Sequence, residues 1–96
     1  MRVAVTGASG FIGRHVLAAL ARRPVAVTAL SRHRDHAPLP GVSWKTLDMA
    51  DCADPFEAMG RPDVLIHLAW DGLPNYRSPH HVETELPRQF RFLKRA

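Results

Sequence analysis

The feature that most constrains the fold lies in residues 3–13, where a short apolar run, Val3-Ala4-Val5, ends in Thr6-Gly7-Ala8-Ser9-Gly10-Phe11-Ile12-Gly13. Beyond the glycines the apolar spacing changes, and Ile12, Val16, Leu17 and Leu20 recur at helical intervals up to Arg22-Arg23-Pro24. A strand, a glycine turn and a helix follow from that change of period. Pro24 stops the helix, and Val25 to Leu30 is a second strand, β-branched and apolar without strict alternation, as a parallel strand buried on both faces reads. Strand, glycine turn, helix and strand in this order make the βαβ unit that binds dinucleotides. In the G-x-x-G-x-x-G spacing, Gly7 permits the tight turn out of the strand, Gly10 lets backbone N–H groups approach a pyrophosphate, and Gly13 lets the helix pack closely. The helix N-terminus adds unpaired N–H donors and the positive end of the helix dipole. A merely flexible glycine loop would not need the strand before it and the helix after it.

The rest of the chain continues the alternation. Residues 31–41 form a polar loop broken by Pro38 and Pro40, after which Val42, Trp44 and Thr46-Leu47 make a weaker third strand ending at Asp48. Asp54-Pro55 is an N-cap with proline at the first helical position, so a short helix is expected over Pro55 to Met59. Val64 to Leu68 is a fourth strand. The pair Ser78-Pro79 opens a last helix, on which Val82, Leu86, Phe90 and Leu93 form one continuous apolar stripe. Pro87 interrupts that helix, because an interior proline removes a hydrogen bond and costs about 3 kcal/mol, so a kink near Glu83 to Pro87 or a helix that starts there is expected. The predicted fold is α/β: a Rossmann-type parallel sheet with helices on both faces, incomplete, with four strands in the order 3-2-1-4.

Composition sets the outer bounds. With 96 residues there is room for one small core, and 46% hydrophobic with 23% charged residues is a globular composition. The formal charge of +4 suits a polyanion or a phosphorylated ligand without choosing between them. The single cysteine, Cys52, cannot form an internal disulfide, which fits a reducing cytoplasm. The N-terminus turns glycine-rich before a signal-peptide apolar region could form, and no apolar run approaches the length of a membrane span. Cytoplasmic localisation with no membrane partner is therefore expected. The six histidines (His15, His33, His36, His67, His80, His81) lack the spacing with cysteine or carboxylate partners that a closed metal site requires, so no metal is expected. Arg88, Arg91, Lys94 and Arg95 read as a solvated basic face; without interleaved aromatics or a nucleic-acid motif they do not imply nucleic-acid binding.

The segment Val3-Ala4-Val5-Thr6-Gly7-Ala8-Ser9-Gly10-Phe11-Ile12-Gly13 resembles the opening of the extended short-chain dehydrogenase/reductases, the NAD(P)-dependent nucleotide-sugar epimerase/dehydratase family. Asp48, after the third strand, is similar to the family's aspartate that meets the adenine ring, and Ile66-His67-Leu68-Ala69 to the end of its fourth strand beside the cofactor's ribose and phosphates. The cofactor-binding set that the resemblance implies is Gly7, Ser9, Gly10, Phe11, Ile12 and Gly13 from the turn, Ser31 and Arg32 from the end of the second strand, Asp48 and Met49 from the third, and Leu68 and Ala69 from the fourth. Asp48 read alone is more commonly a carboxylate capping the turn after a strand, and its fit to the family's position is what raises the ligand reading above that. His67 is expected to be a packed, hydrogen-bonded histidine, and Trp70, where the family often has a small residue, a pocket or core aromatic.

The end of the second strand selects the cofactor. An acidic residue about 20 residues beyond the glycines binds the ribose 2′-OH of NAD. Here Ser31 and Arg32 stand in its place, with Arg34 nearby; a hydroxyl and a guanidinium suit a 2′-phosphate, so NADP is expected over NAD. Arg32, His33 and Arg34 could equally be a solvated basic loop, and the missing acid is what tips the reading.

Members of this family work on a carbonyl with a tyrosine whose pKa is lowered by a lysine four residues on. The only tyrosine here, Tyr76, is followed at that spacing by His80, so no catalytic residue is assigned. Residues 1–96 are expected to be the N-terminal part of a dinucleotide-binding Rossmann domain whose catalytic and substrate regions are absent. The implied parent is an oxidoreductase/epimerase acting on a nucleotide-activated sugar, and the segment 70–81 is weakly similar to enzymes that reduce or epimerise 4-keto-6-deoxy nucleotide sugars. This chain alone is expected not to turn over. The alternative is a non-catalytic dinucleotide-binding or redox-sensing module. The order 3-2-1-4 would leave Val64 to Leu68 at an exposed apolar edge, so the 96 residues alone are expected to aggregate, to form a homodimer through that edge, or to bind NADPH far more weakly than the full-length parent.

Overall fold

A computed structural model of the chain describes residues 1–32, 39–50, 52–70, 77 and 79–96, apart from the side chain of Val82. Residues Arg2–Thr6 form β1, buried from Val3 onward, and Ala26–Ser31 form β2 beside it. Both run parallel, with Val3 opposite Val27 and Thr6 opposite Leu30. On the other side β1 pairs in parallel with β4 (Val64–His67), Val3 opposite Val64 and Thr6 opposite His67. The third strand, β3 (Val42–Thr46), lies parallel to β2 at the far edge. The sheet order is thus β3-β2-β1-β4, as the sequence predicts. The direction of travel reverses at β1, which makes the carboxyl ends of β1 and β4 the switch point of the sheet.

Alternation along the strands divides the core in two. Val3 and Val5 on β1 and Val27 and Ala29 on β2 point to one face, where Leu17 of α1 (Phe11–Leu20) packs on them. Ala4 and Leu30 point to the opposite face, where they meet Leu47, Met59 and Phe92. The helices that cover this second face are α2 (Pro55–Ala58) and α3 (Leu86–Arg95). Asp54 Oδ1 accepts the Glu57 N–H at 3.3 Å and Pro55 opens α2, as its sequence signals require.

The last helix bears out the interruption expected near Pro87 but not the apolar stripe. A π-helical turn, His81–Glu85, runs into α3, and the Leu86 N–H bonds back to the His81 carbonyl, five residues away. Pro87 then falls in the first turn of α3, where its missing N–H is tolerated. That change of register also turns the helix. Leu86, Phe90 and Leu93, expected as an apolar stripe, are 53%, 66% and 49% exposed, whereas Glu85, Gln89 and Phe92 are buried. Gln89 faces inward because His67 of β4 and the Ala69 carbonyl after it offer hydrogen-bond partners, and Glu85 is bonded in turn by Gln89 and Arg88. Ser78, Tyr76 and the side chain of Val82, also singled out from the sequence, fall outside what is described of the chain. No described helix is long and apolar enough to cross a membrane.

Candidate functional site

A cavity of about 630 Å³ opens at the switch point. Its floor is the glycine turn. Gly7 has φ +64°, and a Cβ there would sit 2.8 Å from the backbone of Leu68 and Ala69. The residue is therefore constrained twice, by its own conformation and by the neighbouring strand end. A Cβ on Gly13 would meet the Gly7 carbonyl oxygen and lie 2.7 Å from the Ala8 Cα, so the close approach predicted for this glycine is to the turn itself. Gly10 differs: a Cβ would have only the Gly7 oxygen near it, at 3.4 Å, and would otherwise project into open space. Gly10 is the N-cap of α1 with no side-chain cap, and its carbonyl accepts the first intrahelical bond, from Arg14 at 3.0 Å. The N–H groups of Phe11, Ile12 and Gly13 are thus left outside the helical ladder, beside the cavity.

Every cofactor-binding residue expected from the sequence lines this one cavity: Gly7, Ser9, Gly10, Phe11, Ile12 and Gly13 in the turn, Ser31 and Arg32 after β2, Asp48 and Met49 after β3, and Leu68 and Ala69 after β4. Their local chemistry adds detail. The Ser31 hydroxyl is buried and shares a hydrogen bond with the Ser9 hydroxyl at 3.1 Å, so it ties the end of β2 to the glycine turn. Asp48 Oδ1 accepts the Ala50 N–H at 3.0 Å, which makes this carboxylate a turn cap as well as a wall of the cavity. Arg34 and the His33–His36 pair lie among residues that are not described. Among the described residues, no group of three or more His, Cys, Asp or Glu side chains is placed to hold a metal ion.

Five further residues line the cavity: Leu30 and Leu47 from the core, Thr6, Arg88, and Trp70, which the sequence reading expects as a pocket or core aromatic. Thr6 ends β1; its Oγ1 accepts the N–H groups of Leu68 at 3.1 Å and Ala69 at 3.4 Å, fastening the end of β4 that carries the cavity wall. Trp70 stands at the rim, its indole N–H donating to His81 Nδ1 at 2.7 Å. Arg88, read from the sequence as part of a solvated face, lines the cavity instead and donates from Nη1 to Glu85 Oε2 at 3.1 Å. The i, i+3 spacing of Glu85 and Arg88 was the available signal for that pair.

A buried polar chain supports the wall from behind. The Thr6 hydroxyl meets His67 Nδ1 at 2.6 Å, and His67 Nε2 meets Gln89 Oε1. Gln89 Nε2 donates to the Ala69 carbonyl at 2.5 Å and to Glu85 Oε1 at 2.7 Å. The imidazole stacks on Phe92, with ring centroids 5.1 Å apart. His67 is thus packed and hydrogen-bonded, as expected from the sequence, although β4 itself is only partly buried.

The profile of the NAD dependent epimerase/dehydratase family matches residues 3–83. Uncharacterized proteins of Mycobacterium tuberculosis and Mycobacterium bovis are 37% identical over 70 residues, 73% of this chain, which spans only 8% of their length. Among solved structures, MoeE5 in complex with UDP-glucuronic acid and NAD is 28% identical with a TM-score of 0.66, over 95% of this chain and 28% of that one. A putative exported protein from Burkholderia pseudomallei is 30% identical with a TM-score of 0.67, over 100% of this chain and 43% of that one. Uronate dehydrogenase from Agrobacterium tumefaciens shares the fold at 19% identity, with a TM-score of 0.71 over 97% of this chain and 36% of that one.

Proposed function

Because the chain belongs to the NAD dependent epimerase/dehydratase family, we propose that it binds an NAD(P) dinucleotide along the carboxyl ends of its strands, NADP in preference to NAD, as the cofactor-holding part of an enzyme acting on a nucleotide-activated sugar. The observation that carries this reading is the convergence of the glycine turn, the uncapped N-terminus of α1 and the ends of β2, β3 and β4 on one cavity at the switch point.

In this reading the N–H groups of Phe11, Ile12 and Gly13 hold the diphosphate, whose charge the helix dipole favours. Asp48 and Met49 border the adenine, and Arg32 pairs with the 2′-phosphate. Ser31, committed to Ser9, acts on that end of the ligand by fixing the turn. Leu68 and Ala69, held by Thr6, form the wall toward the nicotinamide half. A bound dinucleotide supplies hydride transfer; the Tyr-x-x-x-Lys pair that would move the accompanying proton is not present in the sequence. We therefore expect cofactor binding without turnover from this chain. The sugar assignment is supported by the nucleotide sugars named with MoeE5.

The test is titration of the folded chain with NADPH and NADH, read by quenching of Trp70 at the rim of the cavity. Saturable binding with NADPH the tighter is expected. A chain with a cooperative melt that binds neither would sink the proposal.

A further inference from the structure

Arg88 supports an inference that rests on the dinucleotide reading and extends it. It belongs to α3, on the opposite face of the sheet from α1, and its side chain is 26% exposed, yet it lines the same cavity as the N-terminus of α1. Its anchor is Glu85, whose side chain is 0% exposed. A carboxylate withdrawn from water persists only when it is paired and hydrogen-bonded. Glu85 meets that condition through Arg88 Nη1 at 3.1 Å and Gln89 Nε2 at 2.7 Å. A guanidinium carries five N–H donors in a rigid planar fork, so fixing one terminal nitrogen fixes the direction of the others.

We propose that Arg88 is a diphosphate-binding residue, its guanidinium positioned by Glu85 to meet, from the α3 side of the sheet, an anion held from the other side by the N-terminus of α1. The chemistry recognised is a diphosphate linking a nucleoside to a second sugar. Two ligands carry it, the dinucleotide itself and a nucleotide sugar.

The experiment uses the chain, Arg88→Met and the double variant Glu85→Gln/Arg88→Met, titrated with ADP-ribose, UDP-glucose and AMP. Arg88→Met should weaken a diphosphate ligand about tenfold and leave AMP within about twofold, since one charge-assisted contact is of that order. The double variant has no lone buried carboxylate, so it separates binding from charge balance. It should stay about tenfold weak; recovery of affinity would mean that Arg88 serves only to neutralise Glu85, and would overturn the proposal. If a variant does not melt cooperatively, the unmodified chain answers instead through the Arg88 Nε–H resonance in ¹H–¹⁵N NMR. That signal should move with ADP-ribose or UDP-glucose and stay fixed with AMP, and immobility with both diphosphates would overturn the assignment. The ligand that moves it identifies the source of the diphosphate. Binding of ADP-ribose that leaves Arg88 unmoved defeats this inference alone, whereas movement with UDP-glucose in a chain that binds no ADP-ribose or NAD(P) defeats the dinucleotide reading alone.

Discussion

His67 and Gln89 share a hydrogen bond whose direction is dictated from both ends. At one end, Thr6 Oγ1 already accepts two N–H groups, from Leu68 and Ala69, so its proton points to His67 Nδ1. At the other, the Gln89 amide nitrogen faces two acceptors, the Ala69 carbonyl and Glu85 Oε1, which turns Oε1 toward the ring. Both constraints place the imidazole proton on Nε2. The chain of donors and acceptors therefore closes without a mismatch, from the backbone of β4 to the carboxylate under Arg88.

Substituting Gln89→Leu should destabilise the protein by about 2–4 kcal/mol, because the Ala69 carbonyl, His67 Nε2–H and Glu85 Oε1 all lose a buried partner. Thermal melts measure the cost. Long-range ¹H–¹⁵N spectra of the unmodified chain should show the Nε2–H tautomer for His67, and the Nδ1–H form would contradict the network.

Thr6→Val keeps the shape of the side chain and removes the oxygen that fastens the end of β4. A cost of about 1–3 kcal/mol is expected, with the Leu68 and Ala69 amides as the loosened sites. Hydrogen exchange at those two amides should rise more than in β2.

Gly10 and Gly13 should respond in opposite ways. Gly10 has φ −73° and ψ 175°, allowed for any residue, and open space where a side chain would go, so Gly10→Val should keep the fold and lose dinucleotide affinity by about tenfold or more. Gly13→Val drives its Cβ into the backbone of Gly7 and Ala8 and should cost at least about 1–3 kcal/mol of stability. Circular dichroism melts paired with cofactor titration distinguish the two outcomes.

Cofactor choice should follow Arg32. Arg32→Asp replaces a cation with a carboxylate that repels a 2′-phosphate and accepts from a 2′-OH, so the ratio of NADPH to NADH affinity should fall by about tenfold or more, reversing or erasing the preference. An unchanged ratio would remove Arg32 from the site.

The parts of the fold legible in the sequence are those fixed by local physics. The change from a strand period to a helix period at Gly7, the proline stop at Pro24 and the Asp54-Pro55 cap all act within a few residues, and the elements they announce are present to within one to three residues at each end. The turn residues were legible for the same reason, since a glycine's freedom is a property of its own position. What escaped depends on the sheet. Thr6 gained its role only when β4 came to lie beside β1, more than 60 residues later in the chain. Arg88 and Gln89 needed the π-helical turn, which periodicity cannot anticipate, to swing them toward β4 and the cavity.

That turn makes hydropathy an inverted guide to α3. Glu85 and Gln89 lie in the interior with Phe92, while Leu86, Phe90 and Leu93 stand outside. In a library of single substitutions, replacing Phe90 with serine is an inexpensive change and replacing Gln89 with leucine an expensive one, the reverse of what a transfer scale ranks. A redesign that fills this helix by residue polarity alone would strip the sheet of its hydrogen-bond partners while leaving the greasy surface in place.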